Sequence, residues 1–167
     1  MAGQEKPVPS EEEVRKYFET CSNWGRWGPD DDAGTVNLIT QSKRLEAASL
    51  VQTGKTVSCS YPLNPRGGPG NLNPFQHFMR FTEQVSTDYI GLIFHGYATT
   101  HVDALCHIFW EEKMWNGKPA SEVTSIGAKS GSVDAWSQGI VTRGVLLDIP
   151  RLRGVDYVSV DEPIRGF

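Results

Sequence analysis

Cysteine is scarce in this sequence: three residues in 167, Cys21, Cys59 and Cys106, at wide and unpatterned spacing. An odd, irregular set of this kind excludes a disulfide scaffold and fits a reducing cytoplasm, with each thiol expected to be a small buried hydrophobe. Long apolar runs are missing too. The longest, residues 89–94, falls far short of the ~20 residues that span a bilayer, and the opening stretch MAGQEKPVPSEEEVRKYF has no apolar h-region of a secretory signal. Positive charge is in the minority, with 16 Lys and Arg against 20 Asp and Glu for a net charge of −4, so there is no electrostatic footprint for DNA or RNA. Two catalytic signatures are also absent. No G-x-S-x-G elbow supports Ser/His/Asp catalysis, and the glycines of residues 66–70 are interrupted by Pro69, which excludes a phosphate loop. These absences leave a cytoplasmic protein acting on a small molecule, without nucleic acid or membrane as a partner.

What is present is enough for one domain with a core. Hydrophobic residues make up 38% and charged residues 22%, the composition of a globular chain. Ser10 followed by Glu11, Glu12 and Glu13 predicts a helix start, a hydroxyl cap with acids in the positive first turn, and Val14, Tyr17 and Phe18 form its apolar stripe. Residues 23–37, NWGRWGPDDDAGTVN, read as a loop that its two tryptophans pack down. Thr40 predicts the cap of a second helix with Leu45, Ala48 and Leu50 as apolar contacts and Gly54 just past its end. Alternation predicts a strand over residues 55–63, and further strands are expected at 78–84, 89–95 and 139–149, with Ser86, Thr87 and Asp88 as a turn and Pro150 closing the last strand. The expected architecture is α/β: a helical segment over residues 1–22, then one domain over 23–167 with mixed or antiparallel strands.

Chemistry concentrates in residues 95–107, HGYATTHVDALCH, which hold three of the four histidines. His101 and Asp103 are two residues apart and share a face of an extended chain, a natural donor pair for Zn²⁺ or Mn²⁺. His95 has the same parity but lies roughly 20 Å away along an unbroken strand, so it reaches the pair only if the chain folds back, with Gly96 the place for it. His107 is four beyond Asp103, one turn away if a helix begins there, where it can take a proton from a water whose pKa a metal lowers toward ~7. The alternative stays open on these residues alone: a His–Asp pair two apart is common by chance, and a histidine bonded to an aspartate can be purely structural.

The run HGYATTHVDALCHIFW with residues 113–117, and with it WGRWGPDDDAGTVNLIT, SYPLN, QHFM and RGVLLDIPRLRGVDY, resembles the cyclase-like metal-dependent amidohydrolase family that includes bacterial kynurenine formamidase and isatin hydrolase. The resemblance spans residues 24–157. It implies a swivelling β/β/α domain with a mixed sheet, truncated at the C-terminus because family members continue further, and hydrolysis of an amide or cyclic amide with Zn or Mn. On the family pattern HxGTHxDxPxH, His101 and Asp103 fall on metal ligands and His107 on the last active-site histidine, here carried over as the acid/base. The first ligand position falls on Tyr97, with His95 two residues earlier as its candidate substitute; the Gly and Pro positions are Thr99 and Leu105.

The expected function is a metal-dependent hydrolase of an aryl formamide or lactam-like small molecule. Trp24, Trp27, Phe78 and Trp110, with Trp115, are candidates to line an apolar pocket for an aryl group, against ordinary core packing as their alternative role. The competing reading is a non-catalytic binding or assembly module on the same fold that has lost the metal, and a third is a lyase or cyclase using the same site. Homo-oligomerisation is expected, since an incomplete domain exposes apolar edges.

Overall fold

A computed structural model of the chain describes residues 7–159 and 161–164; the first six residues of the expected N-terminal segment and the last three of the tail lie outside them. Among the described residues, three α-helices and four strands are interleaved with 3-10 turns, a mixed α/β arrangement whose strands form two separate two-stranded antiparallel sheets. The expected mixed sheet does not form among the described residues.

Helix α1 runs Glu11–Thr20 with the predicted cap. The Ser10 hydroxyl accepts from the Glu13 N–H at 3.2 Å, and the Glu13 carboxylate accepts from the Ser10 N–H at 2.7 Å, a reciprocal capping box. Those bonds hold the Glu13 carboxyl below its ordinary range. The apolar stripe docks the helix through Phe18, whose ring stacks on Trp110 at 4.3 Å and 11°. Helix α2, Gln41–Ser49, is capped by Thr40 as predicted. It stops well before Gly54, at a cap on Leu50, and Leu45 and Leu50 are exposed at 73% and 57% where packing contacts were expected. Cys21 and Cys59 are exposed and Cys106 half-buried, all three free, which corrects the expectation of buried thiols.

Strands β1, Gln76–Phe81, and β2, Ser86–Gly91, form a hairpin with Phe81 opposite Ser86 and Gln76 opposite Gly91. Ser86, Thr87 and Asp88 are therefore strand and not turn. The turn lies one step earlier because the Thr82 hydroxyl accepts the N–H groups of both Gln84 and Val85, a side chain standing in for a backbone partner. Strands β3, Val123–Thr124, and β4, Gly127–Ala128, make a second, minimal hairpin. Residues 55–63 and 139–148 are irregular, without a ladder, although their sequences alternate or run apolar as strands do. A strand exists only with a neighbour to bond, and these segments have none among the described residues. Ile149–Arg153 is a short helix, α3, capped by the Asp148 carboxylate accepting from the Arg151 N–H at 3.1 Å. Pro150 thus opens a helix, the first-turn position that its fixed φ suits, and closes no strand.

The tightest packing is irregular backbone. Met114, 2% exposed, is the buried hydrophobic residue among those described. Around it the tryptophan loop is clasped by side chains. The Asp31 carboxylate accepts from the N–H groups of Ala33 and Gly34, from Asn37 and from the Trp115 indole. Asn116 accepts from the Gly25 N–H at 2.8 Å and donates to the carbonyls of Gly28 and Asp31, and the Trp136 indole donates to the Ala33 carbonyl at 3.1 Å. Burial pushes the Asp31 carboxyl up, but the bonds from Gly34, Asn37, Ala33 and Trp115 outweigh it and hold it below the carboxylate range. Gly34, at φ +59, sits where an added Cβ would meet the Leu105 side chain at 2.9 Å. No helix among the described residues is long and apolar enough to cross a membrane.

Candidate metal centre

The chain leaves β2 extended and folds back over residues 96–99. Gly96, at φ 119, supplies the backbone conformation that an L side chain rarely adopts. The fold-back delivers His95 to the same point as His101 and Asp103. The three residues each present one donor atom, all within 4.8 Å of one another.

The Asp103 Oδ1 lies 2.9 Å from His95 Nδ1 and 3.1 Å from His101 Nε2. The other nitrogen of His101, Nδ1, sits 2.7 Å from the Thr99 carbonyl oxygen, which can only accept, so Nδ1 carries the proton. In the neutral ring Nε2 then holds a lone pair aimed at a carboxylate oxygen. Two acceptors at 3.1 Å are satisfied by a proton on Nε2 or by a metal cation between them. The two separations from the Asp103 Oδ1 suit donors at adjacent positions around a divalent ion bound at about 2.0–2.2 Å, so the residues present can hold such an ion with positions left open.

His107 approaches from the other side. A turn closed by the His107 N–H donating to the Ala104 carbonyl at 3.0 Å replaces the expected helix. It has a similar consequence: His107 Nε2 lies 3.9 Å from Asp103 Oδ2, close but beyond hydrogen-bond range. Its ring stacks face to face on His95, centroids 4.0 Å apart and planes at 0°, while His101 meets His95 edge-on at 87°. His101 is the most sheltered of the four, its side chain 15% exposed against 34% for His107, 46% for Asp103 and 53% for His95.

The cluster opens on a cleft of about 550 Å³ walled by Phe94, Val102, Phe109, Val123 and Val133. None of the aromatic residues expected to line the substrate pocket is there. Trp24 and Trp110, with Trp115, line a separate cleft of about 600 Å³ beside α1, Trp27 packs tilted against Trp115, and Phe78 pairs with Tyr89 on the hairpin. The division follows the segment between them: Ala104, Cys106, His107 and Phe109 face the histidine cleft, and Leu105, Ile108 and Trp110 face the aromatic one. Phe109 shares the parity that paired His101 with Asp103, whereas Phe94 and Val102 have the opposite parity and lay outside that argument. Val123 and Val133 arrive from later turns and carried no signal. Tyr97 is fully exposed, at 100%, and lies outside the cluster, next to a surface groove with Tyr61 and Pro62.

No family model matches the sequence, and no curated protein matches it. Among solved structures, the chain is similar to a crystal structure of a novel cyclase, with 34% sequence identity and a TM-score of 0.71 over 80% of this chain. The aligned region is 49% of that protein, so the chain spans about half its length. The likeness supports a cyclase-like kinship for the chain.

Proposed function

We propose that the chain is a member of the cyclase-like family and carries the metal centre of a metal-dependent hydrolase acting on an amide or cyclic amide of the aryl formamide or lactam class. The observation that carries this reading is the convergence of His95, His101 and Asp103, one donor each within 4.8 Å, at the rim of an apolar cleft. A bound Zn²⁺ or Mn²⁺ supplies Lewis-acid polarisation of the carbonyl and a water acidic enough to ionise near neutral pH. His101, its tautomer fixed by the Thr99 carbonyl, presents Nε2; Asp103 balances charge; His95 completes the set from across the Gly96 fold-back. His107, unbonded to Asp103 at 3.9 Å, is the group to accept a proton from the attacking water and return it to the leaving nitrogen. Phe94, Val102 and Phe109 offer apolar contacts that favour an aryl or other apolar substituent.

Metal analysis of the purified chain tests this directly. The expected result is stoichiometric Zn or Mn that disappears in His101→Ala, with turnover of N-formyl-aryl amides or isatin-like lactams by the loaded protein. A chain that takes up no metal at any pH overturns it and favours the second reading, a binding module on the same fold. The exposed Tyr97 at the first ligand position of the family pattern is the observation behind that alternative. Turnover without net hydrolysis of an amide would instead mark a cyclase or lyase, in keeping with the cyclase to which the chain is similar.

A further inference from the structure

His95 differs from the other two donors in how it is held. His101 is anchored through Nδ1 to the Thr99 carbonyl and is largely sheltered. His95 is half exposed, sits on a glycine fold-back, and among the described residues has a single polar contact, Asp103. Beyond that contact it meets the His101 ring edge-on at 5.4 Å and the His107 ring, parallel to it, at 4.0 Å. His107 is itself well supported. Its N–H closes the turn on Ala104, and the adjoining Cys106 N–H donates at 3.0 Å to the carbonyl of Gly131, where an added Cβ would already crowd Cys106 at 3.2 Å. A rigid turn therefore presses a flat ring against the least anchored donor.

We propose that His107 is a positioning residue for His95: its ring face holds the His95 imidazole in the orientation that joins His101 and Asp103, compensating for a donor that enters two residues ahead of Tyr97. The proposal rests on the reading of this cluster as a metal site. Stacking requires a flat ring and not an imidazole nitrogen, whereas the proton transfer assigned to His107 above requires the nitrogen. The two roles therefore separate by substitution.

The test is titration of the metal-stripped full chain with Co²⁺, followed by its visible absorption, with Zn²⁺ affinity from competition against a chromophoric chelator. His107→Phe keeps the stack and is expected to bind both ions close to the wild type while losing hydrolysis. His107→Ala is expected to bind roughly tenfold more weakly or worse, the usual effect of removing a group that orients a ligand, with a changed Co²⁺ spectrum. His95→Ala/His107→Ala should bind no more weakly than His95→Ala alone, because the second side chain acts through the first. Wild-type affinity in His107→Ala, equal losses in His107→Phe and His107→Ala, or additive losses in the double variant would each overturn the proposal while leaving the metal site intact. A wild-type chain that binds neither ion overturns the site and this proposal together. Circular dichroism of each variant identifies any loss that comes from unfolding.

Discussion

Gly96 and Asp31 are the two residues whose backbone and side-chain chemistry decide most about the site and its support. Gly96 has no neighbour within 4 Å of an added Cβ, so Gly96→Ala meets no clash; its cost is the positive φ. Strain of about 1–3 kcal/mol in that conformation is relieved if the fold-back opens and carries His95 away. The expected outcome is metal affinity weakened by roughly tenfold or more with little change in helix content, read by chelator competition and circular dichroism. Asp31 takes four donors in the tryptophan loop. Asp31→Ala leaves the Ala33 and Gly34 N–H groups without their acceptor, while Asn37 keeps the Gly34 carbonyl and Trp115 the backbone carbonyl of residue 31; it is expected to cost about 1–2 kcal/mol, measured by urea unfolding. The pH dependence follows from the lowered carboxyl: its contribution is complete above the ordinary value of 3.8 and fades as the pH falls through the lower folded value. The stability gap between wild type and Asp31→Ala should therefore hold at neutral pH and narrow only in strong acid.

At the scale of elements, the 110–113 turn is where local chemistry and conformation disagree. Trp110 and Lys113 exchange backbone hydrogen bonds of 2.8 and 3.0 Å around Glu111 and Glu112, at φ 48 and 60. Two consecutive positive φ values suit Asn-Gly far better than Glu-Glu. Glu112→Gly is expected to stabilise the chain by about 0.5–1 kcal/mol, raising the thermal midpoint, and an unchanged or lowered midpoint would show that the turn is not strained. The same contrast between local and distant causes explains which elements were legible. The caps of α1 and α2 were, because Ser10 with Glu13 and Thr40 with Lys43 act within one turn. So was the possible return of His95, since Gly96 alone offered the fold-back. Residues 55–63 and 139–149 were misread because alternation and apolar content report burial in a sheet, and only a partner strand makes a sheet. Which cleft the aromatics line was not legible, because composition says that Trp24 and Trp110 pack, and only the faces of the 104–110 segment say on which side.

The whole molecule exposes 14161 Å², whereas a compact monomer of 18.5 kDa exposes roughly 8,200 Å². Large apolar side chains share in it: Leu146, Leu147, Val145, Val57 and Phe81 are all more than 70% exposed. A surface of this kind is covered by association or stays hydrated at a cost. In solution the isolated chain is expected either to elute as an oligomer or, as a monomer, to give a radius of gyration well above the about 15 Å of a compact 167-residue domain and to bind a hydrophobic dye. Small-angle scattering coupled to chromatography distinguishes these, and a compact, dye-silent monomer would contradict the exposed surface described above.

The clasp between the tryptophan loop and the turn after Met114 has a kinetic consequence. Elsewhere the slowest-exchanging amides of a protein belong to its central strands and helices. Here the helices bury no residue and the larger hairpin is exposed along its length, so their amides should exchange through frequent local opening. The N–H groups of Gly34 and Gly117 are bonded to Asp31 and Met114, next to the buried Met114. Native-state hydrogen exchange should find its most protected protons there, in backbone that belongs to no α-helix or strand.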